Sequence, residues 1–363
     1  MYEEYTSTLS EEERQARRRK RAETRRRRKL EQRRQLFFKI IPLAIIAVIG
    51  VGSLAVWCFG RRVSTEAVPE EPAVLPEQQP GLIREPIPEP EPAVYSAAVT
   101  SDTVQLDDAI DSSYAVLIDE DAGVILAEKD ADARISPASM TKVLTLLVGA
   151  EQAAEKLDDT FTMTIDITDY CYVNQCSVVG LLVGETVPVR ELLYGTILPS
   201  GADAALGLAT YVSGSQEGFV ELMNRKLEEL GVSDSAHFTN CVGLYDENHY
   251  CTVYDMALIL RAAMENDLCR EILGTRKYET IPTEEHPDGQ VLSNWFLRRI
   301  EDRFTGDFQI IGAKTGYVVQ AGSCAVSCGQ GSNGRRYFCA TGNASSAWRA
   351  IYDHTALYQT YCG

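Results

Sequence analysis

The sequence predicts one α+β domain over residues 107–363, preceded by a basic tail, an apolar run and a Pro/Glu-rich linker. Two observations set the class. Strand-like runs lie at both ends of the domain, a hairpin pattern at residues 114–129 and further runs from residue 308 onward. Between them, from residue 137 to about residue 230, the pattern is mainly helical. Strands at both ends with helices between imply a sheet completed by both terminal regions. A third observation sets the domain count: the roughly 255 residues after the linker suffice for one well-buried core and show no internal repeat.

Residues 1–39 form the tail. Residues 1–35 hold 13 Lys/Arg against 7 Glu, with the basic ones crowded between Arg14 and Arg34. Residues 40–59 carry no charge over 20 positions, long enough for a helix to cross a bilayer. The positive-inside rule then places the N-terminus in the cytoplasm and everything after Arg62 outside, as a single-pass membrane protein. A cleaved signal peptide is the rival reading. The long basic segment and an apolar run beyond the usual span of about 7–15 residues count against it. The arginine cluster reads as a topology determinant touching anionic lipid heads, ahead of a nucleic-acid arm. Residues 60–106 form the linker. Its eight prolines, Pro69 to Pro92, alternate with glutamates, a mixture that buries no core and extends by about 3 Å per residue as polyproline II.

Within the domain, Ser136-Pro137-Ala138-Ser139-Met140-Thr141-Lys142 stands directly ahead of an apolar run. Ser136 suits an N-cap and Pro137 the first helical position. Ser139 then falls in the first turn, with Lys142 three residues on and on the same face. A serine hydroxyl needs a base within hydrogen-bond reach to act as a nucleophile. A lysine serves as that base when burial, a helix N-terminus or a second cation leaves it partly neutral. Alone, this spacing equally describes an ordinary capped helix. Two later segments add to it. Pro199-Ser200-Gly201-Ala202-Asp203 follows an amphipathic run, and the strand-like residues 308–311 lead into Gly312-Ala313-Lys314-Thr315-Gly316-Tyr317. They offer a second hydroxyl at Ser200, and a cation and hydroxyl at Lys314 and Thr315 for an anionic substrate. Gly316 lets substrate lie against the backbone, and Lys314 near Lys142 would help keep one amine neutral.

Three signatures in this order resemble those of the penicillin-binding, active-site-serine D-alanyl-D-alanine carboxypeptidases: Ser-x-x-Lys, Ser-x-Asn and Lys-Thr-Gly. The likeness extends to residues 114–129, 180–190 and 240–257, to Asn294, and to Ala321-Gly322. It implies the serine β-lactamase/penicillin-binding transpeptidase-like fold and no metal or cofactor. It also implies an acyl-enzyme on Ser139, Lys142 as base, and Ser200 passing a proton to the leaving amine. Lys314 and Thr315 would hold the terminal carboxylate, with Arg349 in support. The backbone N–H groups of Ser139 and Tyr317 would form the oxyanion hole. The substrate implied is the peptidoglycan stem peptide, with β-lactam antibiotics as covalent inhibitors. The sequence departs from the family at Ala202, where the second signature usually ends in Asn. The N-terminal anchor is a second departure. A β-lactamase, a D,D-endopeptidase, and a catalytically impaired wall- or antibiotic-sensing module remain alternatives. No Glu-x-x-Leu-Asn segment lies between Ser200 and Lys314 to support the first.

Residues 63–363 carry 45 Asp/Glu against 19 Lys/Arg, which argues against a nucleic-acid partner. The four histidines show no zinc-protease spacing, and His249 reads as structural. Nine cysteines follow the apolar run. Local spacing favours Cys171/Cys176 and Cys241/Cys251 as disulfides, with every thiol free as the alternative. Cys324, Cys328 and Cys339 read as packing residues, because four residues along a strand separate two thiols by about 13 Å.

Overall fold

The computed structural model describes residues 95–300, 303 and 308–362. The tail, the apolar run and most of the linker lie outside these residues. No helix among those described is long and apolar enough to cross a membrane.

The chain opens with β1 (Val104–Gln105), β2 (Tyr114–Asp119) and β3 (Val124–Lys129). A 3₁₀ turn over Ala138–Thr141 runs into α1 (Lys142–Ala153), then β4 (Thr160–Thr162), α2 (Ile165–Val173), β5 (Thr186–Pro188) and α3 (Val189–Ile197). Next come α4 (Ala202–Ser213), α5 (Gln216–Glu229), α6 (Val253–Glu265) and α7 (Asp267–Gly274). The strands β6 (Lys277–Glu279) and β7 (Val291–Ser293) precede α8 (Trp295–Ile300), β8 (Gln309–Val318), β9 (Gly322–Gln330), β10 (Arg336–Ala344) and α9 (Ala347–Tyr361).

The main sheet has the order β1-β3-β2-β10-β9-β8. The expected joining of both ends is the antiparallel pair β2–β10, with Leu117 opposite Cys339. The strand-like runs after residue 308 include the antiparallel hairpin β9–β10. Alternation along β2 sends Val116 and Ile118 into the larger core and Ala115 and Leu117 into the smaller one. The larger core packs α1, α3, α4 and α6 on one face, and the smaller packs α8 and α9 on the other. α1 is buried on all sides because nearly all of its residues are apolar or small. The capping box of Thr252 and Asp255 starts α6, each side chain bonding the other's backbone N–H at 2.9 and 2.8 Å.

Three expectations need correction. Residues 95–105, assigned to the linker, already belong to the fold: β1 pairs with β3, and Ala97 N–H donates to Tyr254 OH at 2.9 Å. Ser136 does not cap α1. Its Oγ is buried without a hydrogen-bond partner, and Ala138, with φ +47°, turns the chain into the 3₁₀ segment. The nine cysteines among the described residues are all free thiols. Cys241 and Cys251 each lie in the larger core. Cys171 and Cys176 occupy the facing positions of the turn that ends α2, where Cys176 N–H bonds Cys171 O (2.9 Å) and Gln175 N–H bonds Tyr172 O (3.3 Å). Gln175 is left-handed there, at φ +52°. This is a Schellman ending, and its two cysteines are the side chains that such an ending brings together. Cys324 and Cys328 share the larger core while Cys339 lies in the smaller, on the opposite sheet face.

Candidate active site

Four segments converge where β8, the edge strand, passes the 3₁₀ turn. Their meeting depends on glycine. A Cβ on Gly316 would stand 3.0 Å from both Pro137 O and Ser139 N, so β8 runs against the serine's own backbone. Gly243, at φ +79°, approaches from the other side, where a Cβ would fall 1.9 Å from Ala138 O. The turn bearing Ser139 is therefore clamped between two side-chain-free stretches of chain.

Lys142, at the first turn of α1, is 2 % exposed. Its Nζ lies 3.2 Å from Ser139 Oγ and donates to Val242 O at 2.6 Å. Burial pulls this amine down to about 8, against smaller opposing contributions from Cys241, Cys176, Cys171 and Asp203. It is thus the partly neutral amine that a serine nucleophile requires. Lys314 is equally buried and donates to Ser200 Oγ and to Thr315 O, both at 2.8 Å. Burial first, and then the charge of Lys142, hold its amine well below the ordinary lysine range. Two ammonium groups this close in a dry site disfavour each other.

Ser200 stands between α3 and α4 in a left-handed conformation, φ +62°. Behind it, the buried Asp203 carboxylate accepts from the N–H groups of Val179, Gly180 and Leu181 at 2.8–3.1 Å. These bonds tie the loop before β5 to α4. Ala202 N–H donates to Ser177 O at 2.8 Å in the same union.

Ser139, Lys142, Ala202 and Tyr317 line an open cleft of about 750 Å³. Lys314 and Ser200 form the bonded pair beside it, Thr315 is half-buried on β8, and Tyr317 is exposed. Arg349 lies in the first turn of α9 and, like Ser200, Lys314, Thr315 and Gly316, is outside the lining of this cleft. Ser346 caps α9 by accepting from Arg349 N–H at 3.3 Å, and Asp111, bonded to Ser345, is the carboxylate that feels the Arg349 charge.

The support for Lys142 was not legible beforehand. Asn240 Oδ1 accepts from Val242, Gly243 and Leu244 N–H at 2.7–3.2 Å, and its amide donates back to Leu244 O at 3.0 Å. This turn aims Val242 O at Lys142. The sequence Asn240-Cys241-Val242-Gly243-Leu244 was the available signal, without a role attached. His249 holds the same segment. Thr239 N–H donates to its Nδ1 at 3.0 Å, which leaves Nε2 to donate to Thr141 Oγ1 at 2.8 Å. Burial lowers its pKa to about 4, so it is a neutral strut beneath the nucleophile turn.

A two-core α+β fold with a serine, two buried lysines and a second serine at the sheet edge is the architecture of the DD-peptidases. The family model for D-alanyl-D-alanine carboxypeptidase matches residues 99–344, and the chain belongs to that family. A D-alanyl-D-alanine carboxypeptidase from Streptomyces sp. (strain K15) is 32 % identical over 240 residues, covering 64 % of this chain and 79 % of that protein. The Bacillus subtilis carboxypeptidase DacF is 33 % identical over 227 residues, covering 62 % of this chain and 56 % of the relative's length. The chain thus spans little more than half of that relative. Among solved structures, the Streptomyces K15 DD-transpeptidase superposes with a TM-score of 0.62 at 28 % identity, covering 69 % of this chain and 96 % of its own. A D-alanyl-D-alanine carboxypeptidase from Mycobacterium tuberculosis gives 0.58 at 29 %, covering 68 % and 90 %.

Proposed function

We propose that this chain is a serine-type D-Ala-D-Ala carboxypeptidase that removes the terminal D-alanine of peptidoglycan stem pentapeptides. The observation that carries this reading is the buried Lys142 amine 3.2 Å from Ser139 Oγ, held there by Val242 O. Neutral Lys142 takes the Ser139 proton as Oγ attacks the carbonyl carbon between the two D-alanines. The N–H groups of Ser139 and Tyr317 receive the oxyanion, a contribution of about 3–4 kcal/mol per donor. Ser200 passes a proton to the leaving amine, the D-alanine departs, and water cleaves the acyl-enzyme. The substrate's carboxylate binds at Lys314 and Thr315. Its negative charge offsets the burial that otherwise disfavours an ammonium there. β8, the outer strand of the sheet, gives an extended peptide a strand to lie against. A β-lactam ring amide enters the same path and stays as an ester on Ser139.

The test is D-alanine release from diacetyl-Lys-D-Ala-D-Ala by the full-length chain, beside Ser139→Ala. Release by wild type, its loss in the mutant and a benzylpenicillin adduct mapped to Ser139 are the expected results. A folded wild type that neither releases D-alanine nor takes up penicillin overturns the proposal.

We further propose that residues 40–59 anchor the chain as a single-pass membrane protein with a cytoplasmic N-terminus. Residues 60–94 would then hold the catalytic domain off the outer surface. The uncharged 20-residue run and the 13 Lys/Arg before it support this. Extraction by carbonate or high salt would contradict it.

A further inference from the structure

The cleft wall beside Ser139 and Lys142 holds the methyl group of Ala202, which is 1 % exposed and offers no polar atom to a bound peptide. A peptide in this cleft brings backbone N–H and C=O groups that lose water on binding, and each needs a partner there. Several amide side chains line the same cleft. Asn240 is committed: its Oδ1 accepts three backbone N–H groups and its Nδ2 serves Leu244 O. Asn174 donates to Tyr170 O at 2.9 Å and lies exposed at the rim. Gln175 and Gln320 are likewise exposed.

Gln216 differs from these. It is half-buried at the first turn of α5, a turn fixed by the Ser215 cap. Its Oε1 has a weak thiol donor, Cys241 Sγ, at 3.6 Å, and Tyr170 lines the same cleft. Cys241 in turn reaches Ala205 O at 3.9 Å, one turn beyond Ala202 on α4. The Gln216 amide therefore has the Cys241 thiol as its hydrogen-bond neighbour and lines the same cleft as the apolar Ala202. Its carbonyl oxygen retains capacity for a strong donor.

We propose that Gln216 is a substrate-binding residue, its side-chain amide bonding a backbone amide of the acyl-donor peptide where Ala202 cannot. This rests on the carboxypeptidase reading of the same cleft and adds its peptide-holding contact.

The experiment compares full-length wild type with Gln216→Ala, Gln216→Met, Ala202→Asn and the Gln216→Ala/Ala202→Asn double variant. It reads benzylpenicillin acylation, and kcat and KM for D-alanine release. Gln216→Met keeps the side-chain volume should alanine cost stability. The expected result is an approximately tenfold loss in acylation efficiency and a matching loss in kcat/KM in both Gln216 variants, carried mainly by KM. Ala202→Asn restores most of the loss, because it returns an amide to the same wall. Acylation by Gln216→Met within twofold of wild type overturns the role of Gln216 alone. A wild type inert toward both peptide and penicillin overturns the carboxypeptidase reading, and this role with it.

Discussion

Lys142 shows how one residue trades stability for chemistry. Its amine is buried with a serine hydroxyl and one carbonyl oxygen as neighbours, and burial holds it at about 8. The fall from the ordinary 10.5 corresponds to about 3 kcal/mol against the charged folded state. The unfolded chain binds more protons between these values. Stability from this group therefore rises as pH climbs from about 8 toward 10.5, and the full cost is present below about 8. Two outcomes are expected. Acylation by benzylpenicillin should fall as pH drops through about 8, measured as a pH profile of the second-order rate. Lys142→Met should abolish acylation yet leave thermal stability at pH 7 unchanged or about 1–2 kcal/mol higher, since a buried charge is replaced by an apolar chain of similar length. Ser139 and Lys142 were legible because the chemistry needs both on one helical face. The Val242 carbonyl was not, since any residue type supplies a backbone oxygen.

At the scale of elements, the site depends on short irregular pieces more than on long regular ones. The Asn240 turn spends one side-chain oxygen on three N–H groups, and it sets the oxygen that holds Lys142. Asn240→Ala should cost about 2–4 kcal/mol in denaturant unfolding, because buried N–H groups are left without partners. Acylation should fall with it, as Val242 O loses its aim. Gly243→Ala is the sharper steric test. Its Cβ would collide with Ala138 O while the backbone stays at φ +79°. A loss of about 3 kcal/mol or more, or a folded protein that penicillin no longer acylates, is expected. Pattern reading located the mainly helical stretch from residue 137 to about residue 230 and the strands after residue 308 because their periods are regular. It misjudged the start of α1, where Pro137 and Ser136 suggested an ordinary cap and the chain takes a left-handed step at Ala138 instead. It also read the 171/176 spacing as a disulfide, when the same spacing is what a Schellman ending makes.

Across the whole molecule, the sheet is the device that brings the two ends of the domain together, and its order was beyond local reading. Strands at both ends implied a shared sheet. That β2 pairs with β10 follows only once both faces find cover, α1 and α6 on one and α8 and α9 on the other. Arg349 shows the same limit: its place at the start of the last helix said nothing of which groups surround it, and the fold brings its charge near Asp111. The union of the two ends rests on a buried carboxylate. Asp353 on α9 accepts from Asp111 N–H at 3.0 Å, and from Ser112 N–H and Ser112 Oγ at 2.8 and 2.6 Å. These groups enter β2 just before its first residue, so one side chain joins the last helix to the first long strand. Removing it strands two backbone donors, and Asp353→Ala should lower stability by about 2–4 kcal/mol in equilibrium unfolding. The nucleophile turn packs in the larger core, whereas α9 packs in the smaller core on the far face of the sheet. Benzylpenicillin acylation of the folded variant should therefore match wild type at a temperature where both are native. A slower acylation there would mean that the two faces of the sheet are coupled, and that the terminal helix sets the site as well as the fold.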